Sequence, residues 1–89
     1  MVIHIHNSVS NHTKHLKKIK FYRDGNIISK YDNKVGSYMI FSFMLYDSDI
    51  MINRPISEIL YEAEGYLFLR VSSGSTYEII YNEGDIHYA

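Results

Sequence analysis

Residues 66–81 read YLFLRVSSGSTYEIIY and carry the strongest structural signal in the chain. Apolar and polar side chains alternate along Tyr66–Val71 and again along Thr76–Tyr81, a period of two that is typical of half-buried β-strands. The intervening Ser72–Ser75 combines serines with a glycine, which is typical of a hairpin loop. We therefore predict two antiparallel strands in a β-rich fold.

The two faces of the first strand differ in chemistry. A core side that contains Leu67 and Leu69 leaves Tyr66, Phe68 and Arg70 on the opposite face. Aromatic and arginine side chains are enriched among the residues that dominate protein interfaces. This face is therefore a candidate contact surface, and ordinary cross-strand packing of tyrosines is the alternative.

Further strands are predicted on the N-terminal side of this hairpin. Val2–His6 and Lys18–Arg23 both alternate, and the Asp24-Gly25 pair is the turn signal that would return the chain along Asn26–Tyr31. The stretch Tyr38–Tyr46 is apolar on both faces. We expect it to be the central strand of the sheet.

Residues 55–64 fit two periodicities. Ile56, Ile59, Leu60 and Ala63 have helical spacing, and the adjacent glycine suits a helix C-terminus, so a short helix is favoured. The alternation of Ile59 and Ala63 with polar neighbours fits a strand as well. Both alternatives stay open at this point.

These patterns predict a single domain over residues 1–89, of mainly β class, or of α+β class if residues 55–64 are helical. We expect a small antiparallel sheet or barrel of five to seven strands with at most one short helix. Residues 7–17 are expected to form a flexible loop rich in basic residues and histidine. A chain this short has a thin stability margin, so we also expect a homo-oligomer.

The composition excludes several classes of protein. There is no cysteine, so disulfides, thiolate zinc sites, iron–sulfur clusters and cysteine nucleophiles are all absent. No apolar run approaches the about 20 residues that a membrane-spanning helix needs. No basic and apolar leader opens the chain, and no nucleophile elbow or phosphate-binding loop is recognisable. We expect a cytoplasmic protein that has no membrane association, cofactor or enzymatic activity.

Charge is segregated along the chain. Residues 1–23 hold five basic residues and no acid, whereas the remainder holds ten acids against four basic residues. Lysines together with aromatic rings can bind phosphates and stack on bases, and they can equally bind an acidic protein or protect a sheet edge. The candidate binding residues here are Lys14, Lys17, Lys18, Lys20, Tyr22 and Arg23.

The N-terminal region also contains His4, His6, His12 and His15. Neutral imidazoles from a strand and a nearby turn could surround a divalent metal such as zinc, or take part in proton transfer or anion binding. The nearby lysines would repel a cation, and no carboxylate is close in sequence. The alternative is that these histidines are ordinary solvent-facing side chains.

The leading functional hypothesis is a non-enzymatic interaction module that binds and blocks a larger protein complex. Small size and an AT-rich codon signature are typical of viral or mobile-element inhibitors of the anti-defence type, which would act in the host cytoplasm. The alternatives are a nucleic-acid-binding protein that uses the 14–23 segment, or a protein that binds a metal or nucleotide through its N-terminal histidines.

Overall fold

Nine β-strands and no helix form the computed structural model, which describes residues 1–89. No helix in this structure is long and apolar enough to span a membrane. The mainly β prediction is confirmed. In chain order the strands are β1 (Val2–His6), β2 (Asn11–Arg23), β3 (Asn26–Ile27), β4 (Tyr38–Phe43), β5 (Asp49–Met51), β6 (Ile56–Ala63), β7 (Tyr66–Val71), β8 (Thr76–Ile80) and β9 (Ile86–His87).

The strands form one sheet in the order β5-β4-β2-β1-β8-β7-β6. Neighbours along this path are antiparallel, whereas the short β9 pairs with β2 in parallel and β3 completes a hairpin with β2. The sheet is not closed, so the structure is the predicted sheet and not the predicted barrel. Seven strands lie in the main order of the sheet, which is the upper limit of the five to seven strands predicted, and β3 and β9 are two further short strands that pair with β2.

The long strand β2 joins the two halves of the sheet. Its first part pairs with β1, and from Leu16 onward it pairs with β4. A bulge between Leu16 and Lys18 marks this change of partner. Bulges bend a strand and increase its twist, which allows one sheet to fold over and enclose its own core.

Fifteen buried apolar residues form a single core between the two halves. Ile19 and Phe21 of β2 and Phe41 of β4 come from one half, and Leu67 and Tyr77 come from the other. The rings of Phe41 and Tyr77 meet edge to face at 6.1 Å between centroids. Packing across the fold, and not within one strand pair, therefore defines the interior.

The β7–β8 hairpin is confirmed, and so is the turn of the β2–β3 hairpin, but the returning strand covers Asn26–Ile27 and not the predicted Asn26–Tyr31. β7 and β8 pair from Tyr66 opposite Ile80 to Arg70 opposite Thr76. In the β2–β3 turn, Asp24 and Gly25 have φ angles of 51° and 85°. A tight turn with two such left-handed residues matches the right-handed twist of the strands that it connects.

The helix predicted over residues 55–64 is wrong, because this segment is strand β6. Two bulges, between Ile56 and Glu58 and between Ile59 and Tyr61, each insert an extra residue opposite β7. The inward-facing positions therefore come at a spacing of three and not of two. A strand with two bulges can therefore show the same spacing of apolar residues as a helix, which explains the wrong prediction.

Two other expectations need correction. The loop expected over residues 7–17 is confined to 7–10, because β1 and β2 form a regular hairpin from Val2 opposite His15 to His6 opposite Asn11. The strand expected over 38–46 ends at Phe43 and lies beside the edge strand β5. The central position belongs to β1, which pairs with β2 and β8.

Candidate functional site

The fold divides the basic residues of the 14–23 segment among separate surfaces. Lys17, Lys18 and Lys20 line one groove of about 460 Å³, which we call the basic groove. Lys18 and Lys20 alternate with the buried Ile19, so they lie on the outer face of β2, and the bulge brings Lys17 to the same groove. Sequence analysis predicted these three lysines as a binding set.

The electrostatic character of this groove is positive. Lys20 Nζ lies 4.0 Å from Asp49 Oδ2, which offsets part of its charge. Lys17 and Lys18 have no ion-pair partner in the chain, and His87 also lines the groove. Two uncompensated lysines beside each other provide a site for an anionic group.

The chain that borders the basic groove is apolar and exposed. β4 ends at Phe43, and the chain continues through a turn into β5 without another element to cover it. Ten large apolar side chains of the protein are exposed, and five of them fall within residues 44–51, which we call the 44–51 segment. Their exposed fractions are 63% for Met44, 88% for Leu45, 70% for Tyr46, 50% for Ile50 and 45% for Met51.

The two edges of the sheet differ in how they are protected. β6 has two bulges and exposed carboxylates at Glu58 and Glu62, which hinder pairing with another chain. β5 has neither a bulge nor a basic residue, and it carries the exposed Ile50 and Met51. The short β5 edge is therefore open to a strand of about three residues from a partner.

Three other predicted binding residues make contacts within the chain. Lys14 Nζ lies 5.6 Å from the centre of the Phe43 ring, close to the basic groove. The guanidinium of Arg23 donates hydrogen bonds to the carbonyls of Asn33 and Val35, at 2.8 and 3.0 Å. Tyr22 lies in the β2–β3 hairpin, on the same face of β2 as Lys20. The structure therefore does not bring Arg23 into the groove.

The predicted face of Tyr66, Phe68 and Arg70 lies on the outside of β7 and is uncovered, as expected for strands whose leucines form the core. The polar groups of this face already have hydrogen-bond or ion-pair partners within the chain. Tyr66 donates a 2.6 Å hydrogen bond to Glu78, and Arg70 pairs with Glu58 at 2.7 Å. The hydrogen bond to Glu78 is the main cause that raises the pKa of the Tyr66 hydroxyl. A contact role for this face stays a prediction.

The four histidines do not converge. His4 and His6 share the outer face of β1, while His12 lies opposite the inward-facing Ile5. Their rings bond to neighbours: His4 to Thr13 at 2.9 Å, His6 to Asn11 at 3.2 Å and His12 to Ser10 at 2.7 Å. His15 lies opposite Val2 on the exposed part of β2. No group of three or more metal-binding side chains is present, so the predicted four-histidine zinc site is not formed.

A second concave site, which no sequence pattern predicts, contains an ion pair between the buried Lys34 and the half-exposed Glu62. Lys34 is only 7% exposed, and its Nζ lies 2.8 Å from Glu62 Oε2. The same Nζ lies 5.8 Å and 5.7 Å from the ring centres of Phe21 and Tyr88. The loop that carries Lys34 is fixed by Arg23. No local sequence motif predicts this site, because the loop that carries Lys34 and the strand β6 that carries Glu62 are distant in sequence and meet only in the folded chain.

The ion pair sets the protonation of its members. Burial lowers the pKa of the Lys34 ammonium, but the hydrogen bond and charge of Glu62, together with Tyr88, outweigh burial and raise the pKa above 10.5. Burial is also the main cause that raises the pKa of Tyr81, with the charges of Tyr88 and Glu62 adding to it. Lys34 is therefore a fixed cation and not a nucleophilic amine at neutral pH.

No protein-family model matches the chain. No curated protein and no solved structure matches it either.

Proposed function

We propose that this chain is a non-catalytic protein-interaction module that binds an acidic protein surface through the basic groove and the 44–51 segment. The observation that supports this proposal is the concentration of exposed apolar side chains in that segment. Monomeric proteins rarely expose contiguous apolar patches of this kind unless a partner covers them.

The chemistry of the two neighbouring surfaces specifies the partner. Leu45 and Tyr46 supply apolar and aromatic contact area, and tyrosine is enriched at the centres of interfaces. Lys17 and Lys18 supply positive charge at the border of that apolar area. A partner that places an apolar side chain beside carboxylates complements both features. The charges would accelerate and orient the encounter, while apolar burial would supply affinity.

The open edge of β5 offers a further means of contact. A short extended segment of the partner can hydrogen-bond to the backbone of Asp49–Met51, and its side chains then lie beside Ile50 and Met51. A module of this size acts by occupying a surface that a larger complex needs. This is the mode of action expected of a small inhibitor.

Binding of nucleic acid is the second candidate function. Its support is the exposed ring of Tyr46 in the same groove as Lys17 and Lys18, because bases stack on aromatic rings while lysines bind phosphates. The carboxylates of Asp47 and Asp49 in the groove repel phosphates and acidic side chains alike, whereas the exposed Leu45 gains nothing from a phosphate backbone and favours a protein. Protein binding is therefore the better supported proposal.

The deciding experiment captures partners of the tagged chain from a lysate of its natural host, with and without nuclease. The wild type is expected to retain one protein in stoichiometric amount after nuclease treatment. Leu45→Lys should abolish that capture, and the pair Lys17→Glu and Lys18→Glu should weaken it. The matched control is Tyr61→Lys, which adds the same charge at an exposed apolar position on the opposite edge strand.

Each outcome has a distinct meaning. Thermal unfolding of every variant first establishes that the fold is intact. Equal capture by the wild type and Leu45→Lys would contradict the proposal. Loss of all captured material after nuclease would favour nucleic acid, and a dimer of the isolated protein that Leu45→Lys dissociates would identify a second copy as the occupant.

A further inference from the structure

A cavity of about 760 Å³ opens between the loop that carries Lys34, the β6–β7 turn and residues 81–88. It shares no residue with the basic groove. Sites for small molecules typically have volumes of about 300–1,000 Å³ and combine apolar walls with a few polar groups. This cavity lies within that range of size.

Two of the charged groups that line the cavity neutralise each other. Lys34 and Glu62 form the 2.8 Å ion pair, and Lys34 is held at a fixed position beside the Tyr88 ring. The ammonium of Lys34 is therefore not free to bind an anionic ligand unless Glu62 leaves it. Breaking such a pair to admit an anion would expose a mostly buried charge and is unfavourable.

The rim of the cavity is negative. Glu64 and Glu83 line it, and both are exposed with no ion-pair partner in the chain. Lys30 is the one cation at the rim, and its Nζ lies 5.4 Å from the centre of the Tyr31 ring. Two carboxylates against one ammonium leave a net negative rim.

Apolar walls lie beneath that rim. Ile86 is 8% exposed, and Tyr81 and Tyr88 are half-buried beside it. Aromatic rings attract cations through their faces, and their edges pack against hydrocarbon. Carboxylates above aromatic walls suit a ligand that is charged at one end and apolar at the other.

We propose that this cavity binds a small organic cation, a primary ammonium group carried on an apolar stem. The stem lies against Tyr81, Ile86 and Tyr88, and the ammonium lies between Glu64 and Glu83. A free amine and the lysine side chain of another protein present the same chemistry. The site is separate from the basic groove and does not depend on the proposed function.

The test follows amide chemical shifts of the isotope-labelled full chain during titration with four probes. 4-Phenylbutylamine represents a free amine, and acetyl-lysine methylamide represents a lysine side chain. 4-Phenylbutanol and the Nε-acetylated form of the lysine probe have nearly the same shapes without the charge. We expect saturable shifts at the cavity for at least one amine and none for its neutral counterpart.

The double variant Glu64→Gln and Glu83→Gln should weaken binding of the amine at least tenfold. Asp24→Asn with Glu58→Gln makes the same change in net charge at residues that line neither the cavity nor the basic groove, and it should leave binding unchanged. Binding of only the first amine identifies a free amine as the ligand, and binding of only the second identifies a lysine side chain. Absence of saturable binding, equal binding of the neutral probes, or no effect of Glu64→Gln and Glu83→Gln would overturn the proposal.

Discussion

The hydroxyl of Tyr66 donates a 2.6 Å hydrogen bond to Oε2 of Glu78 on the adjacent strand. The other oxygen of Glu78 lies 4.0 Å from His4 Nε2, and His4 Nδ1 bonds to Thr13 at 2.9 Å. These contacts cross β7, β8, β1 and β2 on one open face. A charged acceptor strengthens the Tyr66 hydrogen bond relative to a neutral one.

Replacing Tyr66 by phenylalanine should lower the urea midpoint of unfolding, because Glu78 then loses its hydroxyl donor. The pKa of Tyr66 is raised in the folded state, so the folded chain keeps this proton to a higher pH than the unfolded chain. This contribution to stability is therefore present below pH 10 and is lost as the pH rises beyond it. Tyr66→Phe should lose less stability than the wild type between neutral pH and pH 10.5.

The matched control is Tyr61→Phe. The Tyr61 ring packs edge to face against Tyr66 at 5.8 Å, but its hydroxyl has no hydrogen-bond partner in the chain. Urea unfolding at both pH values measures the two variants side by side. Identical midpoints for the two variants would show that the bond to Glu78 contributes no stability.

Glu62→Gln should destabilise the fold by about 1–3 kcal/mol, since it leaves the ammonium of Lys34 mostly buried without its charged partner. In the wild type the pKa of Lys34 is raised above 10.5, so the stabilisation by this pair is complete at neutral pH and is lost only at more alkaline pH. Without Glu62, burial is opposed mainly by Tyr88, and the pKa of Lys34 should fall. The deficit of the variant should then shrink as the pH rises toward 10.5.

Chemical denaturation of the wild type and Glu62→Gln across this pH range gives the deficit directly. Glu64→Gln removes a neighbouring carboxylate that has no ion pair, and it should change stability by less than about 0.5 kcal/mol. A deficit that stays constant with pH would mean that Lys34 keeps its raised pKa without Glu62.

Gly65→Ala should destabilise the protein more than Gly74→Ala does. Both glycines have positive φ, 76° and 94°, where an added side chain costs about 1–2 kcal/mol. At Gly65 the new Cβ would also lie 3.1 Å from the carbonyl oxygen of Tyr81, whereas at Gly74 it meets nothing within 4 Å. Thermal unfolding of both variants measures how much stability the contact with the Tyr81 carbonyl costs. Equal losses of stability in the two variants would show that the backbone moves to relieve this contact.

Ile86→Ala should cost about 2–4 kcal/mol, because Ile86 is only 8% exposed and seals the core beside β2. Ile50→Ala removes the same atoms from a half-exposed position on β5, and we expect a loss below about 1 kcal/mol. Urea denaturation compares the two variants. Similar losses at the two positions would mean that β9 contributes little to the core.

The strands were predictable wherever the alternation of side chains is uninterrupted. Tyr66–Val71 and Thr76–Ile80 contain no bulge, and every residue faces the side that its position predicts. β6 could not be recognised because two inserted residues changed its apolar spacing. A bulge exists only relative to the paired strand, here β7, and the residues of β6 alone do not indicate how they pair with it.

The candidate sites were predictable only where their residues are close in sequence. Lys17, Lys18 and Lys20 reach one groove because a single strand carries them. Lys34 and Glu62 meet because a loop packs under a distant strand, and nothing in either local pattern indicates that contact. The apolar run 38–46 predicts that Met44 and Leu45 belong to the central strand, but both are exposed, because an apolar run does not reveal whether another element covers it.

The parallel pairing of β9 with β2 also determines when the protein can fold during its synthesis. β2 is translated more than 60 residues before Ile86, which pairs with Ile19, and Tyr88, which stacks on Phe21. Until they emerge, the nascent chain presents apolar surface near Phe21 to the surrounding solution. The sheet therefore cannot be completed before residues 86–88 emerge, and shorter nascent chains should be substrates for chaperones and proteases.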